Sequence, residues 1–483
     1  MDPWRRTATA MSAPPAGLTA PLHAALGHAP TPGQERAIAA IDRLMASAKE
    51  RATLVLKGYA GTGKTTLVGA LVRVLREQGR PVVLLAPTGR AAKVLGSYAG
   101  APASTIHRRI YRMAADDAGL AAATVVPARE ADALFIVDEA SMLGGTEGGF
   151  GDGDLLGDLF THVFSADGAR LLLIGDPAQL PPVGSRNSPA LDIAHLRDRF
   201  GLTAGAVELT EVVRQAGESG ILANATALRA QVTAQAPAPR FTPVGPDVRR
   251  ITGMELQDEL ETCYARYGGE DVCLITRSNK RAYQYAQQVR ARILGFEEEL
   301  SPGDRLMVVR NDYYWAGRNG RAELIANGEP MEVLRRREVE ERHGHRFCWI
   351  EAAWWSGQER RVGDVLVLLD VLALDAPSLP LARRRMLNDA VLAAHAATGK
   401  GARRALLRQD PYANALQVKY AYAVTAHKAQ GGQWPAVFVD QGYITEEMVD
   451  AEYVRWLYTA VTRATDRLYL LNFHPRFFGE EDV

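Results

Sequence analysis

Short, unbroken apolar runs alternate along this chain with stretches whose apolar residues recur every three or four positions. TLVLKG (53–58), PVVLLAPT (81–88), ALFIVDEAS (133–141) and RLLLIGD (170–176) each close on polar residues. That is the signature of buried parallel strands whose C-terminal ends open into loops. A second series follows in VELTE (207–211), DVCLITRSN (271–279), QVKYAYAVTAHKAQG (417–431), AVFVDQG (436–442) and DRLYLLNF (466–473). The alternation predicts two α/β units. Between about 301 and 375, DRLMVVRND, EPMEVLRRREVEERHGHRFCWIEAAWW and GDVLVLLDV carry turn signals at Pro302-Gly303, Asn319-Gly320 and Asn327-Gly328 without a helical crossover. They predict a small β domain interrupting the second unit. Residues 376–420 then hold eight Lys/Arg against two Asp/Glu, a run that suits a phosphate path or a solvated helix face.

Composition narrows the class without naming a partner. A chain of 483 residues with 47% hydrophobic content is expected to fold as about three domains. Lys+Arg and Asp+Glu are both 56, so any basic footprint has to be local. Cys263, Cys273 and Cys348 form no C-x-x-C pair, which argues against a disulfide scaffold or zinc site and for a reducing, cytoplasmic setting. No apolar run reaches the roughly 18 residues of a membrane span, so no membrane partner is expected. Residues 1–30, rich in Ala and Pro, read as a loose, flexible leader.

Candidate chemistry begins at GYAGTGKT, Gly58 to Thr65, set between a strand and a helical stretch. Glycines there let successive N–H groups face phosphate oxygens, and the helix behind adds its positive end. Lys64 would reach the β- and γ-phosphates, and the Thr65 hydroxyl would ligate Mg2+. ALFIVDEAS puts Asp138 and Glu139 at the C-terminal edge of the sheet, Asp138 to hold Mg2+ and Glu139 to polarise an attacking water. In LLLIGDPAQLPPV, Gln179 is free to bond the γ-phosphate or that water, since an amide both donates and accepts. Hydrolysis of a nucleotide, beyond binding it, is the expectation. Arg214 in VELTEVVRQ and Arg463 in WLYTAVTRATDRLYLL complete the set; taken alone, either arginine would be read as a surface ion pair.

In chain order GYAGTGKTT, LAPTGRAA, IVDEASM, IGDPAQLPP, LTEVVRQ, AVTAHKAQGGQ and LYTAVTRA resemble the successive motifs of superfamily 1 helicases. The closest likeness is to the RecD-like and Dda-like (superfamily 1B) 5′-to-3′ DNA helicases, over about residues 31–475. The stretch PYANALQVKYAYAVTAHKAQGGQW is similar to bacterial RecD-like ATP-dependent helicases. The resemblance implies an α/β fold of two RecA-like P-loop NTPase motor domains with parallel sheets and a small inserted SH3-like β domain. The expected segments are a leader at 1–30 and a first motor domain at 31–204 with a short pin-like insertion at about 108–132. The second motor domain is expected at 205–300 and 416–483, and the insert with its basic helical segment at 301–415. MAADDAGLAAATVV, in the place of the pin, has no aromatic tip.

The same resemblance implies ATP and Mg2+ as cofactors. Gly58, Gly61, Thr62, Gly63, Lys64, Thr65 and Thr66 would bind the nucleotide, with Gln34 in TPGQERAI recognising adenine and Arg214 and Arg463 acting as arginine fingers. Pro87, Thr88, Arg90, His107, Thr425, His427 and Lys428 would contact single-stranded DNA; a core or capping role is the alternative for the two histidines. Tyr313-Tyr314-Trp315 would stack bases or pack against the motor. Expected partners are single-stranded DNA and tailed duplex DNA, for a motor working as a monomer in DNA repair or recombination. An RNA helicase and a nucleotide-gated remodeller that does not unwind remain the alternatives at this stage.

Overall fold

The computed structural model describes residues 17–115, 121–144, 154–213, 219–232, 234, 237–242, 246–318, 324–356, 359–395 and 399–480. The first lobe contains β1 (Ala52–Gly58), β2 (Val82–Ala86) and β3 (Ala103–Thr105). A hairpin of β4 (Tyr111–Ala115) and β5 (Ala121–Val125) leaves the sheet before β6 (Leu134–Val137), β7 (Arg170–Gly175) and β8 (Thr203–Leu209). Its six strands are all parallel, in the order β3-β2-β6-β7-β1-β8. Both faces are covered by helices, which is why these strands read as unbroken apolar runs. Because β6, β7 and β1 are neighbours, the three polar strand ends seen in the sequence emerge side by side on one edge.

The second lobe is a five-stranded parallel sheet of β9 (Val248–Ile251), β10 (Val272–Thr276), β16 (Ala423–Thr425), β17 (Trp434–Asp440) and β18 (Ala464–Leu471), ordered β16-β10-β17-β18-β9. Into it the chain inserts an antiparallel sheet of β11 (Arg305–Val308), β12 (Pro330–Arg342), β13 (His345–Ser356), β14 (Glu359–Leu368) and β15 (Val418–Tyr420), ordered β14-β13-β12-β11-β15. The insert shares one continuous core with its host, running from Leu274 and Ala286 through Leu306 to Ile350 and Val418. A buried bidentate pair fixes the junction: Arg290 donates to both carboxylate oxygens of Asp304 at 2.7 and 2.8 Å. No helix among the described residues is long and apolar enough to cross a membrane.

Three expectations need correction. VELTE belongs to the first lobe: β8 pairs with β1 from Ala52↔Thr203 to Gly58↔Leu209, so the first sheet runs past the expected boundary at 204. A strand's sequence does not show which sheet accepts it. QVKYAYAVT is two strands, β15 in the inserted sheet and β16 in the second lobe, the chain crossing between them within two residues. Part of the supposed leader is structural, since Thr19–Leu26 is a helix whose Leu22 and Leu26, with Leu18 ahead of it, are buried in the first core. The Leu18 N–H also donates to Asp42 Oδ1 at 2.8 Å. Residues 1–16 lie outside the described residues.

Burying Leu22 completely gives a direct check. Leu22→Ala is expected to destabilise the first lobe by about 2–5 kcal/mol, visible as a lowered thermal unfolding midpoint.

Candidate functional site

The phosphate loop is shaped by backbone conformations that only glycine adopts cheaply. Gly63 stands at φ 80° immediately before the helix Lys64–Glu77, and a Cβ there would lie 2.5 Å from Gln34 Nε2. Gln34 is itself locked by a capping box at the start of the helix Pro32–Ala46. The Thr31 hydroxyl accepts the Gln34 N–H at 3.2 Å, and Gln34 Oε1 accepts the Thr31 N–H at 3.0 Å. That arrangement spends the amide oxygen and leaves Nε2 buried beside the loop without a protein acceptor. Lys64 Nζ donates to the carbonyls of Gly58 at 2.6 Å and Tyr59 at 2.8 Å. The Thr62 hydroxyl donates to Tyr59 O, whereas Thr65 and Thr66 are exposed to the cleft.

At the end of β6, Asp138 is held from two sides. The Tyr98 hydroxyl donates to Oδ2 at 2.6 Å and the Glu139 N–H to Oδ1 at 2.8 Å. Glu139 takes a left-handed backbone at φ 52°, a strained conformation for a residue with a Cβ that turns its side chain into the cleft. Burial pushes its carboxyl up to about 7, Arg463 pulls against that, and Asp138 adds to it. The Arg463 guanidinium comes from the second lobe, with Nη1 3.8 Å from Glu139 Oε1. It is buried and aimed by bonds to the carbonyls of Thr459 at 3.0 Å and Gly432 at 3.2 Å. Gln179 is buried, and its Oε1 has no protein donor.

Lys64, Thr65, Asp138, Glu139, Gln179 and Arg463 line one cavity of about 650 Å3 between the lobes. The donor set fits a magnesium nucleotide. Loop N–H groups and Lys64 suit phosphate, the unpartnered Gln34 Nε2 suits an acceptor on the base, and Gln179 Oε1 suits a hydrogen of the attacking water. Among the described residues no cluster of three or more His, Cys, Asp or Glu could hold a metal unaided, which matches an ion that takes one or two protein oxygens and the rest from phosphate and water. Arg214 lies within 214–218, outside the described residues.

Several residues of this site escaped the sequence reading. The helix Ala451–Val461 grips the loop 176–180 of the first lobe: the Tyr458 hydroxyl donates to Asp176 Oδ2 at 2.6 Å, and the Leu180 N–H donates to Thr459 Oγ1 at 2.9 Å. Arg455 donates to Pro177 O at 2.5 Å, and Gln430 Nε2 to Leu180 O at 2.7 Å. Tyrosines and threonines in an apolar helix look like core, so no signal marked them. The Gly431-Gly432 pair did carry one. Gly431, at φ 71°, packs so closely on the first lobe that a Cβ would sit 2.6 Å from Ala91 Cβ.

The expected strand contacts divide. Thr88 caps the helix Gly89–Ala99 by accepting the Ala91 N–H at 3.2 Å, and Gly328 of the inserted sheet packs against it. Lys428 donates to Asn327 Oδ1 at 2.8 Å, and burial lowers its ammonium to about 8. Pro87 and Thr425 are half-buried beside them at strand ends. Arg90 has protein partners here: its guanidinium lies 3.7 Å from the centre of the Trp434 ring and donates to Gln433 O at 3.0 Å. It joins the two lobes, because a planar cation stacks better on indole than it reaches past it. His107 is buried with its ring against Tyr111, and burial lowers the His427 imidazole. Trp315 is likewise core, its Nε1 donating to Asn414 O at 2.8 Å and its ring edge-on to Trp349. The basic run lies on the helices Leu381–Ala394 and Lys400–Gln409, with Arg383, Arg385 and Arg403 facing solvent.

Comparison with known proteins finds a family described as AAA domain over residues 30–238 and one described as UvrD-like helicase C-terminal domain over 420–471. The chain is 25% identical over 434 residues to the ATP-dependent RecD2 DNA helicase of Deinococcus radiodurans, covering 86% of this chain and 46% of the relative. This chain therefore spans less than half of that protein. It is 34% identical over 115 residues to the ATP-dependent DNA helicase dda of Enterobacteria phage T4, 23% of this chain and 26% of the relative. Among solved structures, Pif1 helicase from Bacteroides in complex with ADP-AlF3 and ssDNA aligns at 16% identity and a TM-score of 0.43, covering 93% of this chain and 94% of that one.

The tight packing at Gly431 yields a prediction. Gly431→Val is expected to wedge the lobes apart, enlarging the radius of gyration measured by small-angle scattering, and to reduce nucleotide turnover by about 100-fold, the scale of a 1 Å misplacement.

Proposed function

We propose that this chain is a member of the RecD-like and Dda-like superfamily 1B helicases, and that it hydrolyses ATP to move 5′-to-3′ along single-stranded DNA and unwind duplex ahead of it. The observation that carries this reading is the cavity where Lys64, Asp138 and Glu139 of one lobe meet Arg463 of the other. Bound Mg2+·ATP would supply the transferable γ-phosphoryl group and a divalent charge. Lys64 and the loop N–H groups would hold the phosphates, Thr65 and Asp138 the metal, and Gln34 Nε2 an acceptor on the base.

Glu139, whose carboxyl burial raises and Arg463 opposes, suits a group that accepts and then returns a water proton. Gln179 would orient that water. Arg463 completes the charge around the phosphates only while the lobes are together, so turnover is tied to closure. Thr88, Thr425 and Lys428 sit on the surface shared by the lobes and the insert, where gripping a phosphodiester backbone needs hydroxyls and cations rather than base contacts. Alternate closing and opening would then shift one lobe along the strand relative to the other.

Three substitutions and one substrate test this reading. Lys64→Ala should abolish ATP turnover. Glu139→Gln should bind nucleotide normally and lower kcat by about 100-fold or more. Arg463→Ala should lower it by about 1,000-fold with an unchanged circular dichroism spectrum. On forked duplexes with one defined tail, the wild-type protein should open those with a 5′ tail; opening only from a 3′ tail would refute the direction, and ATPase without opening would refute unwinding.

A further inference from the structure

Tyr458 belongs to the second lobe, yet both hydrogen bonds of its hydroxyl reach into the first. It donates to Asp176 Oδ2 at 2.6 Å and accepts the backbone N–H of Ala60, inside the phosphate loop, at 2.9 Å. A carboxylate has no hydrogen to give, so the phenol hydrogen has to point at Asp176, leaving the oxygen's lone pairs for Ala60. Asp176 is buried and committed on its other side, where Oδ1 accepts the Ala178 N–H at 2.9 Å in the turn that presents Gln179. Tyr458 is itself buried, and desolvation together with the Asp176 charge holds its phenol well above the usual range. The hydroxyl is therefore a neutral, directional bridge among three parts: the helix that leads into Arg463, the turn that carries Gln179, and the loop that carries Lys64.

The neighbouring contacts separate this bridge from simple packing. Thr459 Oγ1 and Gln430 Nε2 hold the far end of the turn at Leu180, so the turn stays docked on the second lobe without Tyr458. Leu222 and Arg229 also pack against the loop, at Gly61 and Tyr59, but the Tyr458 hydroxyl holds one of its backbone N–H groups, at Ala60, the residue just before Gly61-Thr62-Gly63. A ring without its oxygen would fill the same space and leave the Ala60 N–H unaimed.

We propose that Tyr458 is a positioning residue that transmits closing of the two lobes to the phosphate loop, its hydroxyl being aimed by Asp176 so that the Ala60 N–H is fixed only when the lobes are together. This rests on the reading of the cleft as an ATP site. Removal of the hydroxyl should spare the first lobe's own hold on nucleotide and weaken the link between nucleotide and strand.

The test compares wild type with Tyr458→Phe, Asp176→Asn and the double variant, each first checked for an unchanged unfolding midpoint. Affinity for a fluorescent oligo(dT) strand is measured by anisotropy with and without a non-hydrolysable ATP analogue, and affinity for ADP is measured separately. The expected result is ADP binding within about twofold of wild type for Tyr458→Phe, and strand affinity unchanged without nucleotide. The analogue's effect on strand affinity should shrink about tenfold, and kcat should fall by a similar factor with little change in KM. The double variant should be no worse than the more impaired single one, because both groups act through one bridge. A Tyr458→Phe protein with the full wild-type response to the analogue would overturn the proposal, as would single effects that multiply in the double variant. A wild-type protein that binds neither ADP nor the analogue would instead overturn the cleft assignment, and this proposal with it.

Discussion

The structure turns on one shared wall. The five-residue turn Asp176–Leu180 belongs to the first lobe by sequence and to both lobes by contact. Its carboxylate, three of its carbonyls and one of its N–H groups are bonded to Arg455, Tyr458, Thr459 and Gln430 of the second. These groups are buried, so separating the lobes would expose them to water or leave them unpaired, and an unpaired buried polar group costs about 1–3 kcal/mol. The wall therefore favours two arrangements, docked or fully rehydrated, over intermediate ones. A cleft that must alternate between gripping and releasing benefits from that choice.

Ordinary rules of parallel sheets deliver the chemistry to this wall. Strand order β6-β7-β1 lines up three C-terminal ends, and each supplies one piece: the carboxylate pair Asp138-Glu139, the Asp176–Leu180 turn, and the phosphate loop. The second lobe contributes a single helix whose successive turns present Arg455, Tyr458-Thr459 and, just beyond its end, Arg463. Arg463 cannot approach Glu139 unless Tyr458 approaches Asp176, since Arg463 follows directly on the helix that carries Tyr458 and is bonded back to its Thr459 carbonyl. On the opposite side, Arg90 stacked on Trp434 and Gly431 pressed on Ala91 hold the lobes together along the helix Gly89–Ala99. The last turn of that helix carries Tyr98, which bonds Asp138. The same helix thus begins at Thr88, beside the proposed strand path, and ends beside Asp138, the carboxylate proposed to hold the metal.

Much of the site was legible in the sequence because its residues break local patterns. Glycines before Lys64, an acidic pair closing an apolar strand, and a Gly-Asp-Pro turn all stand out against buried runs. What stayed hidden was whatever conforms to its surroundings. Tyr458 and Tyr98 sit in apolar helices and read as core, which they also are. β8 is a half-exposed edge strand, and only three-dimensional pairing assigns it to the first sheet. Leu18, Leu22 and Leu26 do recur at helical spacing, but the surrounding Ala and Pro residues masked a helix of only eight residues. Residue types suited to nucleic acid also serve inside the protein: Arg90 stacks on Trp434, and Trp315 takes the packing role that the sequence had left as an alternative.

The most direct measurement is the distance between the lobes. Spin labels at the exposed positions Glu77, in the first lobe, and Glu447, in the second, can be introduced as cysteines because Cys263, Cys273 and Cys348 are all buried. If one nucleotide is shared by both lobes, pulsed electron resonance should show a broad distribution without nucleotide. It should narrow to a single short distance with a non-hydrolysable ATP analogue and an oligo(dT) strand, and Arg463→Ala should abolish the narrowing. A distance distribution that ignores the analogue, or that narrows equally in Arg463→Ala, would contradict the account.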